Sequence, residues 1–166
     1  MKNLIFLSIG SNIGNRIKNI KSSVAHLTET CNIKVVNFSN LYESEPLYNI
    51  KQRKFYNIVV KCMTNLKPNE LLNFVKDIEL KIGRKPKLKL NMPRIIDIDI
   101  LTYDDICLNT SSLQIPHPKL NERKFVLMPW LDISPTYIIT RFNKNVQELM
   151  DVIKDNTEVK IINNKR

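Results

Sequence analysis

Residues 78–101 read IELKIGRKPKLKLNMPRIIDIDIL and decide the fold. The last seven of them are mostly β-branched, which predicts a buried strand over residues 95–101. Side chains of a strand alternate between faces, so the isoleucines at 96, 98 and 100 line one face, and Asp97 and Asp99 line the other. Two carboxylates roughly 7 Å apart on one face repel each other unless a cation lies between them.

Oxygen ligands of this kind suit Mg²⁺, which takes one or two carboxylates and completes its shell with water and substrate phosphates. A lone D-x-D pair is more often a solvated strand face, and that alternative stays open here. Cations beside a magnesium site indicate a polyanion between them, and a nucleoside triphosphate is the simplest candidate. Five cationic side chains precede the pair: Arg84, Lys85, Lys87, Lys89 and Arg94.

A helix is predicted from Pro68 to about residue 82, because proline favours the first helical position and Gly83 is a good terminator. Glu79 falls about 40° from the centre of the apolar stripe of this helix, where a carboxylate must be paired or hydrogen-bonded. Two interpretations of Glu79 are open. It reaches out to a neighbouring lysine, or it holds Arg84 or a polar group of a substrate.

Composition bounds the class of protein. At 166 residues, the chain is expected to form one domain over residues 1–166, with its last few residues disordered. No apolar run is long enough to span a membrane, and three cysteines without metal-ligand spacing predict a reduced, cytoplasmic protein. The net charge of +10 favours anionic partners, either nucleotide or nucleic acid. A composition rich in Lys, Asn and Ile also explains the charge, so the charge carries little weight alone.

The N-terminal half supplies the remaining elements of the fold. Residues 4–9 predict a strand, Asn15 the N-cap of a helix, and residues 33–42 and 55–63 two further strands. Together with the helix and strand above, the order is β-α-β-β-α-β. That order predicts a ferredoxin-like α+β sandwich, an antiparallel sheet with helices on one face.

Phe55 and Asn57 share the face of their strand that points away from the core. An aromatic ring beside an amide is typical of a site that stacks a heterocycle and recognises its edges. The alternative is an aromatic side chain that fills a minor core under a loop. In the ferredoxin-like arrangement these two residues and the aspartate pair lie on the same uncovered face.

The C-terminal third is predicted to add short elements, and Pro116-His117-Pro118 holds a histidine in a rigid segment. Such a histidine is either solvated or, ahead of Lys119 and Arg123, a phosphate contact. The predicted elements are a small hairpin of residues 106–108 with 113–115, a helix over 123–128 that ends at Pro129, a helix over 145–154 and an edge strand over 158–162.

These motifs resemble the 6-hydroxymethyl-7,8-dihydropterin pyrophosphokinase family of the folate pathway. The Pro-Arg-x-x-Asp-x-Asp segment at 93–99, with Pro-His at 116–117, is a far stronger signature than D-x-D alone. The resemblance covers about the first four-fifths of the chain. It rests on residues 8–12, 39–47, 55–57, 78–80, 83–84, 93–101, 116–118 and 121–127.

The resemblance implies transfer of the β,γ-pyrophosphate of MgATP to the pterin hydroxymethyl oxygen, with release of AMP, in folate biosynthesis. Asp97 and Asp99 would hold two Mg²⁺ ions, and Arg84 and Arg94 would join them as catalytic residues by neutralising phosphate charge. Catalysis would rest on positioning and electrostatics. The implied ATP-binding residues are Glu79, Arg84, Arg94, Ile100, Leu113, His117 and Arg123.

The resemblance also implies a pterin site in which Phe55 and Phe125 sandwich the ring. ATP and the pterin are the expected partners of a monomer that binds neither nucleic acid nor membrane. The implied pterin-binding residues are Ser44, Glu45, Leu47, Phe55, Asn57 and Phe125.

Segments 44–54 and 85–92 are expected to be lids that close over both substrates. The chain departs from the family pattern at Glu45, Asn91 and Met92, where a proline, an aromatic or basic residue, and a small residue are common. All three lie in these segments. They therefore bear on loop closure and turnover more than on the identity of the site.

Two other functions are open. A ferredoxin-like nucleic-acid-binding module fits the fold and charge, but the strands lack the aromatic pattern that stacks bases. Asp97 and Asp99 would also repel phosphate on its binding face. A palm-like two-metal nucleotidyltransferase uses the same D-x-D chemistry, but it needs a third acidic ligand and a template cleft.

Overall fold

The computed structural model describes residues 2–47, 51–85 and 92–162. These residues form four α-helices, ten strands and a short 3₁₀ helix at Leu120–Glu122. In chain order the helices and strands are β1 (Asn3–Ser11), α1 (Arg16–Thr28), β2 (Ile33–Phe38), β3 (Tyr42–Ser44), β4 (Phe55–Thr64), α2 (Pro68–Ile82), β5 (Asp97–Tyr103), β6 (Leu108–Asn109), β7 (Gln114–Ile115), α3 (Lys124–Leu131), β8 (Ile138–Ile139), β9 (Lys144–Asn145), α4 (Val146–Asp151) and β10 (Val159–Ile161).

One antiparallel sheet has the ferredoxin-like arrangement that the sequence predicts. Strand β1 lies between β4 and β5, and the other side of β4 pairs with both β3 and β2. Strand β10 extends the sheet beyond β3, which confirms the predicted C-terminal edge strand. Helices α1 and α2 pack together on one face. The α+β sandwich is therefore confirmed.

The ends of α1 and α2 follow from their local sequence. Asn15 caps α1, and its side chain accepts a hydrogen bond from the Lys18 N–H at 3.0 Å. Helix α2 begins at Pro68 and ends at Gly83, whose φ of 107° is the left-handed conformation that terminates helices. Both helices thus have the boundaries that capping residues predict.

Apolar side chains on the helix-covered face form the main core. Ile96, Ile98 and Ile100 point into it, and Leu71 and Val75 of α2 meet them from above. Burying each such side chain contributes about 1.5–3 kcal/mol. The alternation predicted for this strand is confirmed, because Asp97 and Asp99 are more exposed than the isoleucines beside them.

A second core covers part of the opposite face. Phe6 and Leu101 pack there against α3 and α4, with the Phe6 and Trp130 ring centroids 4.9 Å apart. Sequence patterns did not reveal this layer, because its helices are short and hydrophobic on more than one side. Among the described residues, the end of this face beside Gly10 and Asp97 lies outside the second core and lines a pocket.

The predicted strand 33–42 is in fact two strands, β2 and β3. The break falls at Ser39, whose hydroxyl accepts from the Val59 N–H at 3.0 Å and so replaces a backbone ladder bond. The predicted strand 95–101 begins two residues later, at Asp97. The Arg94 and Ile95 carbonyls are taken by the Asn12 N–H at 3.1 Å and the Asn19 side chain at 3.1 Å.

Helix α3 does not end at Pro129, as predicted, but continues to Leu131. Proline removes one helical hydrogen bond, but complete burial of Trp130 in the second core offsets that loss. Helix α4 is shorter than predicted, with Asn145 as its N-cap, and the hairpin is confined to β6 and β7.

Several predictions fall outside the described residues. They concern the middle of segment 44–54, nearly all of segment 85–92 and the tail 163–166. Among the residues that are described, no helix has the length and apolar character needed to cross a lipid bilayer.

The cysteines give a test of the core. Cys62 is buried in β4, and this burial raises the pKa of its thiol to about 12, whereas Cys31 and Cys107 are exposed. Because the thiolate is the reactive form, we expect the native protein to expose two rapidly reacting thiols to Ellman's reagent. Cys62 should react only after denaturation. Three thiols that react equally fast in the native protein would contradict this packing.

Candidate active site

Two carboxylates lie at the edge of the sheet because β5 pairs with β1 in a fixed register. Asp97 lies opposite Gly10, and Asp99 lies opposite Ser8. With Ile96 and Ile98 held in the core, both aspartates must project from the other face. The structure therefore brings the two predicted metal ligands together in one pocket.

Cationic side chains from three segments neutralise this pair. Asp97 accepts hydrogen bonds from Arg84, which follows α2, and from Arg94, which precedes β5. Arg123, just before α3, donates to Asp99 at 3.2 Å. Charge-assisted bonds of this kind offset the repulsion between the carboxylates. All three arginines predicted for the ATP site are thus gathered here.

Glu79 is 2% exposed and joins α2 to β5. Its carboxylate accepts from the Ile98 N–H at 2.7 Å, from Lys76 at 3.0 Å, and from Arg84. Both interpretations of this residue hold, since it binds the neighbouring lysine and Arg84 together. Through Arg84, the helix carboxylate is connected to Asp97.

Burial and charge compete at two of these side chains. Burial opposes the charge of the Arg84 guanidinium, but Asp97 and Glu79 beside it raise its pKa above the usual value. Burial lowers the pKa of the His117 imidazole, and the cationic Arg123 adds to this effect, while Asp99 opposes it. The His117 Nε2 lies 3.9 Å from Asp99, so the histidine faces the carboxylate pair.

The other end of the pocket is built from β3 and β4. Ser44 and Asn57 are buried, and the Asn57 amide donates to the Ser44 hydroxyl at 2.8 Å. Gly10 of β1 lies directly opposite Asn57. A Cβ atom on Gly10 would come within 2.9 Å of the Asn57 Oδ1. Glycine is required here because the backbone and the amide approach so closely.

One pocket joins the two ends. It contains all six residues predicted to bind the pterin, together with Arg94, Arg123 and both aspartates. By contrast, Ile100 and Leu113 are buried in the main core, and Glu79, Arg84 and His117 are not among the residues that line this pocket. The lining residues are Ser8, Gly10, Ser44, Glu45, Leu47, Phe55, Asn57, Arg94, Asp97, Asp99, Arg123 and Phe125.

Sequence reasoning missed Ser8, Gly10 and a buried asparagine that supports the pocket. The Asn12 Oδ1 accepts from the Arg94 N–H at 2.7 Å, and its amide donates to Gln52 at 2.9 Å. Asn12 follows β1, so these bonds connect the end of β1 to Gln52 in the first predicted lid and to Arg94 just after the second. A glycine inside an apolar strand was the available signal, since such a glycine often marks a close approach.

The departures from the family pattern fall at the rim. Glu45 lines the pocket, Met92 is 51% exposed, and Asn91 is outside the described residues.

The donor set is suited to Mg²⁺ completed by a substrate. Within the described ranges, no group of three or more histidine, cysteine or acidic side chains forms a closed metal cage. Asp97 and Asp99 offer hard oxygen ligands, and Mg²⁺ typically takes the rest of its shell from water and phosphates. Beside them, Phe55 and Phe125 flank a space with an amide at its edge. The pocket can hold a polyanion at one end and a flat polar heterocycle at the other.

Comparison with known proteins identifies the family. Residues 6–135 match the 7,8-dihydro-6-hydroxymethylpterin-pyrophosphokinase (HPPK) family. The chain belongs to the HPPK family. A 2-amino-4-hydroxy-6-hydroxymethyldihydropteridine pyrophosphokinase of Aquifex aeolicus (strain VF5) is 40% identical over 144 residues, which are 87% of this chain and 88% of that protein.

Several other relatives are much longer than this chain. The folic acid synthesis protein FOL1 of Dictyostelium discoideum is 44% identical over 136 residues, 82% of this chain but 20% of that protein. The crystal structure of wild-type Plasmodium falciparum HPPK-DHPS with pteroate is similar at a TM-score of 0.73 and 19% identity, covering 91% of this chain and 42% of that chain. The structural match supports the ferredoxin-like fold.

Glu79 provides a test of the charge network. We expect Glu79→Ala to lower the free energy of unfolding by about 2–3 kcal/mol, because it leaves the buried Ile98 N–H without its acceptor and removes one of the two carboxylates that Arg84 donates to. Glu79→Gln should lose less, since its carbonyl can still accept from Ile98. Urea denaturation measures both, with the exposed Glu29→Ala as control. A loss no larger than that of the control would disprove the linkage.

The contact between Gly10 and Asn57 predicts a coupling in stability. We expect Gly10→Ala to lower the free energy of unfolding by about 1–3 kcal/mol, because its Cβ overpacks against the amide. In the Asn57→Ala background the same change should have a clearly smaller effect. Urea titration of the four proteins gives the coupling energy. An equal effect in both backgrounds would show that the close approach is not the cause.

Proposed function

We propose that this protein transfers the β,γ-pyrophosphate of MgATP to 6-hydroxymethyl-7,8-dihydropterin, in folate biosynthesis. The single observation that carries the proposal is the pocket that places Asp97 and Asp99 beside Phe55, Asn57 and the neighbouring pterin candidates. The pterin hydroxymethyl oxygen attacks the β-phosphorus. The bond between that phosphorus and the α,β-bridging oxygen breaks, AMP leaves, and the hydroxyl proton passes to solvent.

The pterin is proposed to lie between Phe55 and Phe125, where a planar ring gains offset stacking on both faces. Asn57 and Ser44, already bonded to each other at 2.8 Å, would recognise the ring edge. Because Asn57 offers both a donor and an acceptor, it can match the alternating donors and acceptors of a pterin. The main chain near Glu45 and Leu47 would complete this edge.

The triphosphate is proposed to bind at the carboxylate end. Asp97 and Asp99 would hold two Mg²⁺ ions there, and the ions would supply positive charge that neutralises the phosphates. Arg84 and Arg94 donate to Asp97 in the structure, so their hydrogen bonds must be shared between this carboxylate and phosphate oxygens. Asp97 and Glu79 raise the pKa of the Arg84 guanidinium above its usual value, so Arg84 carries its positive charge when it meets the phosphates.

The remaining ATP-binding candidates lie around this end. Arg123 donates to Asp99 and is placed to contact phosphate or nucleotide. We propose that His117 reaches the nucleotide from the same side, with Glu79 holding Arg84 in place behind the pocket. For Ile100 and Leu113, which are buried, we propose that the contact with ATP is through the main chain.

Three further features are part of the proposal. The described residues act as one catalytic domain, and the protein works as a monomer that needs no nucleic acid or membrane. Its cysteines are unpaired, which suits a reducing compartment such as the cytoplasm. Segments 44–54 and 85–92 act as lids, and their departures at Glu45, Asn91 and Met92 affect the rate of closure.

The test is AMP release from ATP with Mg²⁺, in the presence and absence of 6-hydroxymethyl-7,8-dihydropterin. We expect pterin-dependent AMP from the wild type and a loss on the order of 10²-fold or more in Asp97→Asn and Asp99→Asn, because each removes a negative ligand. Asp77→Asn, an exposed aspartate on α2, is the matched control and should retain full activity.

The outcomes separate the alternatives. AMP that forms without pterin would indicate simple ATP hydrolysis and would contradict the proposed acceptor. Pterin-dependent AMP that survives in both aspartate variants would place the metal site elsewhere. A wild type that binds neither substrate would exclude the pyrophosphokinase function and leave the nucleic-acid-binding alternative to be tested.

A further inference from the structure

Arg16 lies outside the pocket, yet its side chain is held on three sides. Its Nη1 donates to the Lys54 carbonyl at 2.7 Å and lies 3.4 Å from a Glu43 carboxylate oxygen. Its Cζ atom lies 3.6 Å from the centroid of the Tyr56 ring, a close cation–π contact. The side chain is 15% exposed, although it belongs to the first residue of α1. Such a guanidinium is fixed, unlike one at an ordinary surface position.

The partners of Arg16 are the chain neighbours of pocket residues. Glu43 precedes Ser44 in β3, and Lys54 immediately precedes Phe55, where β4 begins. Glu43 pairs with Tyr56 across the two strands, and Ser44 pairs with Phe55. Since side chains alternate between faces, Arg16 contacts the Glu43–Tyr56 pair on the helix-covered face, and the next pair, Ser44 with Phe55, faces the pocket.

We infer that Arg16 is a positioning residue for the pterin end of the pocket. The inference rests on the proposed function, because it takes Ser44 and Phe55 as pterin contacts. The chain leaves the sheet after Ser44 and returns at Phe55, and a single guanidinium bonds to Glu43 and Lys54, the residues that precede these two points. Arg16 thereby fixes the separation of the two pterin contacts before the ligand arrives. Preorganisation of this kind strengthens binding by lowering the cost of ordering.

Other contacts at these chain ends are weaker candidates for this role. Lys54 pairs with Glu158 at 3.3 Å, but both side chains are more than two-fifths exposed, so solvent screens the pair. The Glu45 N–H donates to the Glu158 carbonyl at 3.2 Å and holds only the outgoing end. Arg16 is the more buried contact, and it holds both ends.

The role requires an arginine rather than any cation. A planar guanidinium can stack on Tyr56 while its nitrogen donates to two acceptors, whereas an ammonium group cannot do both in one position. We therefore expect Arg16→Lys to retain part of the effect and Arg16→Ala to lose it. Lys18→Ala is the matched control, because it removes the same charge from an exposed position of the same helix.

The test measures two dissociation constants for each protein. One is that of α,β-methylene-ATP with Mg²⁺, and the other is that of 6-hydroxymethyl-7,8-dihydropterin with this analogue saturating. We expect Arg16→Ala to raise the pterin constant about tenfold, equivalent to about 1.4 kcal/mol, and to leave the nucleotide constant within about twofold. Arg16→Lys should fall between, and Lys18→Ala should match the wild type.

Hydrogen exchange gives a second, ligand-free measurement. Amides near residues 43–45 and 54–56 should exchange faster in Arg16→Ala than in Lys18→Ala. Equal pterin affinity in the wild type and Arg16→Ala would overturn the inference while leaving the proposed function intact. So would equal weakening of both ligands, which marks a general loss of stability. A wild type that binds no pterin would overturn both the proposed function and this inference.

Discussion

Two carboxylates two residues apart on one face of a strand, in a partly buried pocket, repel each other unless nearby cations neutralise them. The strand fixes where Asp97 and Asp99 project, and the isoleucines that alternate with them fix the strand in the core. Arginines from three different segments then have to converge on the same point. Their hydrogen bonds to the two aspartates hold three segments together: the end of α2, the residues before β5 and the start of α3.

The same constraint connects stability with chemistry. Glu79 lies beside the hydrophobic stripe of α2, so its carboxylate is buried. The burial is tolerated because Arg84 and the Ile98 N–H donate hydrogen bonds to the carboxylate. A substrate polyanion would satisfy the arginines that now bond to Asp97. The carboxylates thus serve as internal partners in the folded chain and as metal ligands in the proposed reaction.

Much of the fold could be predicted from the sequence because helix ends and strand faces are determined by residues close together in the chain. Pro68 and Gly83 mark the ends of α2, Asn15 marks the start of α1, and alternation assigned Asp97 to the open face. The pocket residues were reached in part by the same alternation and in part through family resemblance. The element order β-α-β-β-α-β is typical of the ferredoxin-like fold, and this fold predicts which strands are neighbours in the sheet.

What could not be predicted depends on partners distant in sequence. The break at Ser39 arises from Val59, and the late start of β5 arises from Asn12 and Asn19. Arg16 looks like an ordinary charged residue at a helix start until Lys54 and Tyr56 are placed beside it. No periodicity or spacing encodes such contacts, so only the folded structure reveals them.

The second core has a consequence for how the molecule is assembled during synthesis. Arg123 and Phe125 complete the pocket, and they lie at the start of helix α3, which covers Phe6 of the first strand. A nascent chain that has emerged only as far as β5 contains every strand of the ferredoxin-like motif, but two of the residues that line its pocket are still inside the ribosome. The apolar surface around Phe6 remains exposed to solvent until α3 has been synthesised and packs against it. Ligand-binding competence is therefore acquired late, in the same step that covers this surface.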